Sequence, residues 1–356
     1  MNRRLESLDA LRGFDMLWIV GGTGLIGALA EDPGGSLLGW MAEQSEHPEW
    51  HGFALYDLIF PLFLFLAGVS LPFSLAHRRE RGDGTAAWGL HVARRTALLL
   101  LFGAIYNGLL RFELADQRYA SVLGRIGLAW AGAAWITSGT GVRARFLWIA
   151  GLWLGYWAAL TLVPVPGFGA GDLRPGHTLT DWFDRALVPG RLHRGERDPE
   201  GLFATLPAIG TALVGAQAGE LLRRARDGAH ASRQLAVAAL ACAAGGWLWS
   251  FALPWNKNLW TSSFALWCGG LSLALLAAFH YAIDVRGFRR LGGFFAVFGS
   301  NAIAVYLGYR FVHWHALVQL VLHEQRVHPA GIWIGVLAVQ WLFFRALYRR
   351  RIFLRV

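Results

Sequence analysis

The chain has 356 residues, 55% hydrophobic and 16% charged, with a mean hydropathy of +0.39. That balance excludes an ordinary soluble globule and fits a polytopic membrane protein. The net charge of +10 does not point to nucleic acid, because the arginines fall in short clusters between apolar runs and not on one basic domain.

Windows of about 20 residues select ten candidate spans at roughly 7–29, 53–75, 90–110, 119–138, 146–165, 201–222, 234–253, 261–283, 292–314 and 330–348. The predicted fold is all-α. It is a polytopic integral-membrane bundle of about ten transmembrane helices, one domain over 1–356 with an extracytoplasmic loop at about 166–200. The eighteen Trp fit interfacial belts, and residues 7–29 are too long and too polar for a signal-peptide core. Cys242 and Cys268 lie in apolar runs without metal-type spacing and imply neither a disulfide framework nor a zinc site. The connections alternate in charge. Arg3, Arg4, Arg78, Arg79, Arg143, Arg223, Arg289 and the tail with Arg349 and Arg355 fall on one side, and residues 30–52 on the other hold no Lys or Arg. The positive-inside rule then places both termini in the cytoplasm and His47 outside.

In the first span Asp9, Arg12 and Asp15 recur every three residues, as an internal ion-pair ladder or a polar cavity lining. The second span enters through HPEWHGFALYDLIFPLFLFLAGVSLP, residues 47–72, where an apolar run carries one carboxylate, Asp57. An ionised group there needs a partner. Pro61 has no N–H for the Asp57 carbonyl, so a bend is expected. The stretch reads either as the mouth of a reaction site or as a kink with a solvated cap. His91, Arg94 and Arg95 open the third span, placed to snorkel or to meet a phosphorylated cofactor from the cytosol. Arg125 sits inside the fourth span and needs a ligand or a carboxylate from Asp9, Asp15 or Asp57.

The long loop predicts a short interfacial helix at Trp182, Phe183 and Leu187. It ends in Asp198-Pro199-Glu200-Gly201, where Asp198 can cap the sixth span with Pro199 at its first helical position. The turn Pro254 to Trp260 holds the only lysine, Lys257, between Asn256 and Asn258. It is a plain turn or a set of donors facing the same vestibule as His47. Asn301, in the ninth span, is of the kind that bonds a neighbouring helix. His313, His315, His323 and His328 show no helical i, i+4 pair with an acidic third ligand, so no metal is expected.

These residues resemble the heparan-alpha-glucosaminide N-acetyltransferase family of the transmembrane acyltransferase superfamily over nearly the whole chain. The carriers are Leu8-Asp9-Ala10-Leu11-Arg12-Gly13, the His47 to Pro61 stretch, Arg95 with its apolar span, Val122-Leu123-Gly124-Arg125, Asp198-Pro199-Glu200-Gly201, Asn256-Lys257-Asn258-Leu259-Trp260 and Gly299-Ser300-Asn301. The resemblance implies an enzyme that moves an acetyl group from cytosolic acetyl-CoA to an amino sugar or glycan on the far side. It matches the family's active histidine to His47, puts His51 where the family can have an amide, and sets Thr23 where lysosomal members carry asparagine. A chain without the extra lumenal portion of animal members is expected, in a bacterial cytoplasmic membrane.

On that footing His47 and Asp57 are the candidate catalytic pair, Asp57 fixing the imidazole tautomer. Arg12, Arg94, Arg95 and Arg125 are assigned to the CoA end. Trp50, Asn256, Lys257, Asn258 and Asn301 are assigned to the acceptor and the developing oxyanion. The expected partners are membrane lipids and the acceptor, with a homodimer left open and no nucleic acid. The rival reading is a transporter or permease for a sugar or lipid-linked glycan, with Asp9, Arg12, Asp15 and Arg125 as gating pairs. No inverted repeat between the halves supports it.

Overall fold

The computed structural model describes residues 5–30, 36–322, 327–354 and 356. Arg3, Arg4, His323 and Arg355 lie outside the described residues. Those described are mainly helical and form no strand, only two isolated bridges. In order the α-helices are α1 (Glu6–Leu17), α2 (Thr23–Leu29), α3 (Leu37–Glu43), α4 (Ile59–Glu80), α5 (Thr85–Tyr106), α6 (Val122–Gly139), α7 (Val142–Leu162) and α8 (Leu179–Leu187). They continue with α9 (Thr205–Arg224), α10 (Gly228–Ser250), α11 (Ser262–Phe279), α12 (Arg289–Gly299), α13 (Ala302–Phe311), α14 (Trp314–Leu322) and α15 (Pro329–Arg349).

Every one of the ten apolar windows holds helix. By length and apolarity, four helical segments among the described residues are fit to cross a membrane: Leu55–Glu80, Val142–Leu162, Ser262–Val285 and Pro329–Arg349. The pair α12 and α13, bent by 55° at Ser300 and Asn301, makes a fifth if taken as one broken span. The chain is a membrane protein on this composition. The short helix expected in the long loop is α8, whose Thr178 hydroxyl accepts the Asp181 N–H while the Asp181 carboxylate accepts the Thr178 N–H.

Small residues set the closest crossings. A β-carbon on Gly68, Gly215 or Gly219 would drive into the carbonyl oxygens of Ala212, Phe65 and Val69, so α4 and α9 meet backbone to backbone. Gly13 and Gly299 do the same for α1 and α12 against Phe295 and Asp9. These contacts fix α1, which carries Arg12, and α4, which runs on directly from the turn that holds Asp57.

Two local expectations are corrected. Pro61 does not bend a running helix. Residues Leu55–Leu58 form a 3₁₀ turn and α4 starts only at Ile59, so Pro61 falls in the first helical turn, where an N–H has no intrahelical partner to lose. Asp198 does not cap the sixth span, because α9 starts at Thr205 and the Asp198 carboxylate is taken by Arg118, at 2.7 and 2.6 Å, and by the His193 and Glu200 N–H groups. A buried charge-assisted pair outcompetes a helix-end amide for that acid.

Candidate active site

The segment before α4 is folded by its own polar groups. The Asp57 Oδ2 accepts the Ala54 N–H at 3.0 Å, closing the 3₁₀ turn, while Gln44 takes the N–H groups of Tyr56 and Leu55 through its main-chain and side-chain oxygens. Gly52 sits at φ 132, and its N–H reaches the Trp255 carbonyl at 2.8 Å. Only glycine takes that backbone conformation readily. The result is that residues 47–58 are clipped against the turn that holds Lys257.

His47, Asp57 and Lys257 come together at this end of the bundle. The His47 Nδ1 lies 2.7 Å from Asp57 Oδ1; the acid is 1% exposed and the imidazole 46%. The Lys257 Nζ is 2.9 Å from His47 Nε2 and 3.5 Å from Asp57 Oδ1. Burial holds the Lys257 ammonium below its usual range, against the pull of the Asp57 carboxylate. The ring of Tyr56 stacks under His47 with centroids 4.9 Å apart, and the Tyr56 hydroxyl shares a hydrogen bond with Thr23.

His47, Tyr56, Lys257 and Glu200 line the head of a cavity of about 250 Å³ whose walls descend through Phe63 and Ile126 to Met16 and Ala302. Two further rings in it, Tyr106 and Tyr306, stack on each other at 4.6 Å. Met16 is one turn along α1 from Arg12, and Phe63 is one turn along α4 from Leu66. Arg12 donates to the Leu66 carbonyl and to Ser70 Oγ and pairs with Asp9 at 3.2 Å. Arg95 approaches from α5, its guanidinium 4.2 Å over the Trp130 ring and its Nε buried with no hydrogen-bond partner. Ser70 is roughly 17 Å along α4 from Ile59, so the cation pair sits well below the imidazole. Arg94 is exposed on α5 near the same end.

The other candidates are placed as follows. Arg125 is fully buried nearer the His47 end, its Nη2 donating 2.9 Å to the Gly201 carbonyl and its charge 5.5 Å over Trp260. The structure does not bring it to Arg12 and Arg95. Trp50 donates its indole N–H to the Leu173 carbonyl at 2.7 Å and stacks under Arg197, which docks the segment onto the long loop. Asn256 shapes its turn by accepting the Leu259 N–H and contacts His51 Nδ1 at 3.3 Å, and Asn258 is half-buried beside Lys257. Asn301 clamps the tail instead, donating to the Ile352 carbonyl and accepting the Leu354 N–H. Asp9 and Arg12 pair, while the buried Asp15 leaves Oδ2 unpartnered. Among the described residues no cluster of His, Cys, Asp and Glu is arranged to hold a metal.

Sequence reasoning did not single out Tyr56 or the cavity position of Glu200. Glu200 is held by Arg118, which bridges it to Asp198. Arg118 lies 80 and 82 positions away in sequence, so only the shared sign pattern of a lone arginine and an acidic doublet could have linked them. Next to this bridge Asp184 accepts the Leu202 and Phe203 N–H groups, and burial pushes its carboxyl up to about 6. A carboxyl raised from 3.8 to about 6 contributes stability in full below 3.8 and loses it as pH rises through about 6. The thermal midpoint is therefore expected to fall between pH 4 and 6, with a smaller fall in Asp184→Asn, as read by unfolding in detergent.

A family profile described as "Domain of unknown function (DUF5009)" matches residues 4–111, the part that carries Arg12, His47, Asp57 and Arg95. The heparan-alpha-glucosaminide N-acetyltransferase of Homo sapiens is 27% identical over 99% of this chain and 60% of its own length. That of Mus musculus is 26% identical over 87% of this chain and 56% of its own length. The chain is similar to these two acetyltransferases at this level. It spans about six-tenths of their length, and the region of similarity takes in both ends of the cavity.

Proposed function

We propose that the chain is a transmembrane acetyltransferase that passes an acetyl group from acetyl-CoA, bound at the arginine end of the bundle, to an amino sugar or glycan at the His47 end. The observation that carries this is the imidazole and buried carboxylate, 2.7 Å apart, at the head of a cavity that descends toward Arg12 and Arg95. The two similar acetyltransferases suggest the reaction class. About ten spans, cytoplasmic termini and an outward His47 belong to the same reading, as does placement in a bacterial cytoplasmic membrane.

Arg95 fits an anionic donor because a buried guanidinium nitrogen without a partner asks for an acceptor, and phosphate oxygens supply one. Arg12 adds charge beside it, and Arg94 stands at the entrance. Acetyl-CoA supplies the acyl group as a thioester. At the other end Asp57 accepts a hydrogen bond from the His47 Nδ1–H, which keeps the base lone pair on Nε2, the nitrogen that faces Lys257. As the acceptor nitrogen bonds to the acyl carbon and the carbon–sulfur bond breaks, His47 Nε2 takes the proton the nitrogen loses and returns it to the departing thiolate, which leaves as the free thiol. Lys257, within 2.9 Å of Nε2, is the nearest cation to the oxygen on which charge develops. Asn258 lies in the same turn. Trp50 and Asn256 hold the walls, and Asn301 supports the cavity floor through Ala302. Arg125 ties the fourth span to Gly201 and so sets the position of Glu200.

Purified protein is expected to release free thiol from acetyl-CoA only when a glucosamine-containing acceptor is present. A permease would release none, and that result would remove the reading.

A further inference from the structure

A second cavity, of about 420 Å³, lies against the reaction cavity and shares two wall residues with it, Tyr56 and Ile59. Its remaining lining is almost wholly apolar, with Trp18, Ile26, Trp40, Met41, Leu62 and Leu275 contributed by five separate segments. Its rim includes Trp40, 50% exposed, and Leu55, 47% exposed. Apolar side chains left open at the edge of a membrane protein fit hydrocarbon and not water. Of its polar lining residues, Gln44 accepts the Leu55 N–H and Ser45 donates to the Met41 carbonyl, which leaves Asp15. Asp15 is 1% exposed, and its Oδ2 is buried without a donor from the protein.

The reaction needs no such space for an acetyl group, and a cavity of this size is not needed for packing. The geometry points to an acceptor that is an amphiphile: an amino-sugar head presented to His47 and a hydrocarbon tail lying in the 420 Å³ cavity. This rests on the acetyltransferase reading and names its substrate class. The shared Tyr56 ring decides the direction of the substrate. It stacks on the reacting imidazole and also lines the apolar cavity, so a tail held there keeps its head within one ring of His47. The donor reaches the same imidazole from the Met16 side, leaving this cavity to the acceptor. A hydroxyl or amide N–H where the tail joins the head supplies the donor that Asp15 Oδ2 lacks.

The test measures thiol release from acetyl-CoA by the full chain in a sterol-based detergent, which offers no alkyl chain to compete. The acceptors are methyl and dodecyl 2-amino-2-deoxyglucosides. The wild type is expected to show a kcat/KM about tenfold or more higher for the dodecyl acceptor, since each buried methylene contributes to binding. Ala274→Trp fills the cavity from α11, and Met41→Glu places a charge in it. In whichever of the two folds, the dodecyl-to-methyl ratio is expected to fall toward one. Equal kcat/KM for the two acceptors in the wild type overturns the inference while leaving the acetyltransferase reading intact. So does a dodecyl preference that survives both variants, which assigns it to the micelle. Faster turnover of dodecanoyl-CoA than acetyl-CoA on the methyl acceptor, lost in the same variants, also overturns it by giving the cavity to the donor. No thiol release with either acceptor overturns the parent reading and the inference with it.

Discussion

His47→Ala is expected to lower thiol release from acetyl-CoA by about 10²- to 10⁴-fold, the range over which a positioned acid–base group acts. The protein should still fold, because the imidazole is half-exposed and its loss leaves the Ala54 turn and the Gly52 clip in place. Asp57→Asn is expected to lose a comparable factor by a different route. The amide keeps the shape but can present its NH₂ to Nδ1, which favours the tautomer with the proton on Nε2 and removes the base. His51→Ala is expected to have a small effect, since that ring is engaged by Asn256 and burial holds its pKa down. Full turnover in His47→Ala with loss in His51→Ala would move the reaction to the second histidine.

Arg95→Ala is expected to raise KM for acetyl-CoA about 10- to 100-fold with kcat little changed, the effect of removing one charge-assisted hydrogen bond to a phosphate. Arg95→Lys should recover part of it, because an ammonium restores charge but not the planar fork. Arg95 also lies over Trp130, so packing has to be separated from binding. A fall in thermal midpoint with an unchanged KM would make Arg95 a structural residue. The pairing of a KM effect at Arg95 with a kcat effect at His47 is what two ends of one passage require.

Much of the architecture is legible in apolar runs alone, because burying or exposing a helix to lipid selects composition over about 20 consecutive residues. The polar motifs are legible as chemistry for the same reason: Asp57 in an apolar run demands a partner, and His47 is ten positions away. What the pattern does not encode is long-range pairing. Lys257 meets His47 across 210 positions, and Arg118 meets Asp198 across 80. Asn301 looked like an interhelical bond and instead holds the tail, a choice made by where the α12–α13 bend points its side chain. Pro61 misled because a proline near a helix start and one inside a helix look alike until the first turn is located. Tyr56 escaped notice because an aromatic beside an acid is common, and its role appears only when the ring is seen between two cavities.

Transfer between compartments is tested most directly in sealed proteoliposomes. Radiolabelled acetyl-CoA is supplied only outside, and an amino-sugar acceptor that cannot cross the bilayer is trapped only inside. The account predicts acetylated sugar accumulating in the lumen, absent in His47→Ala, with free CoA appearing outside. Acetylation seen only when both substrates share one side would contradict it.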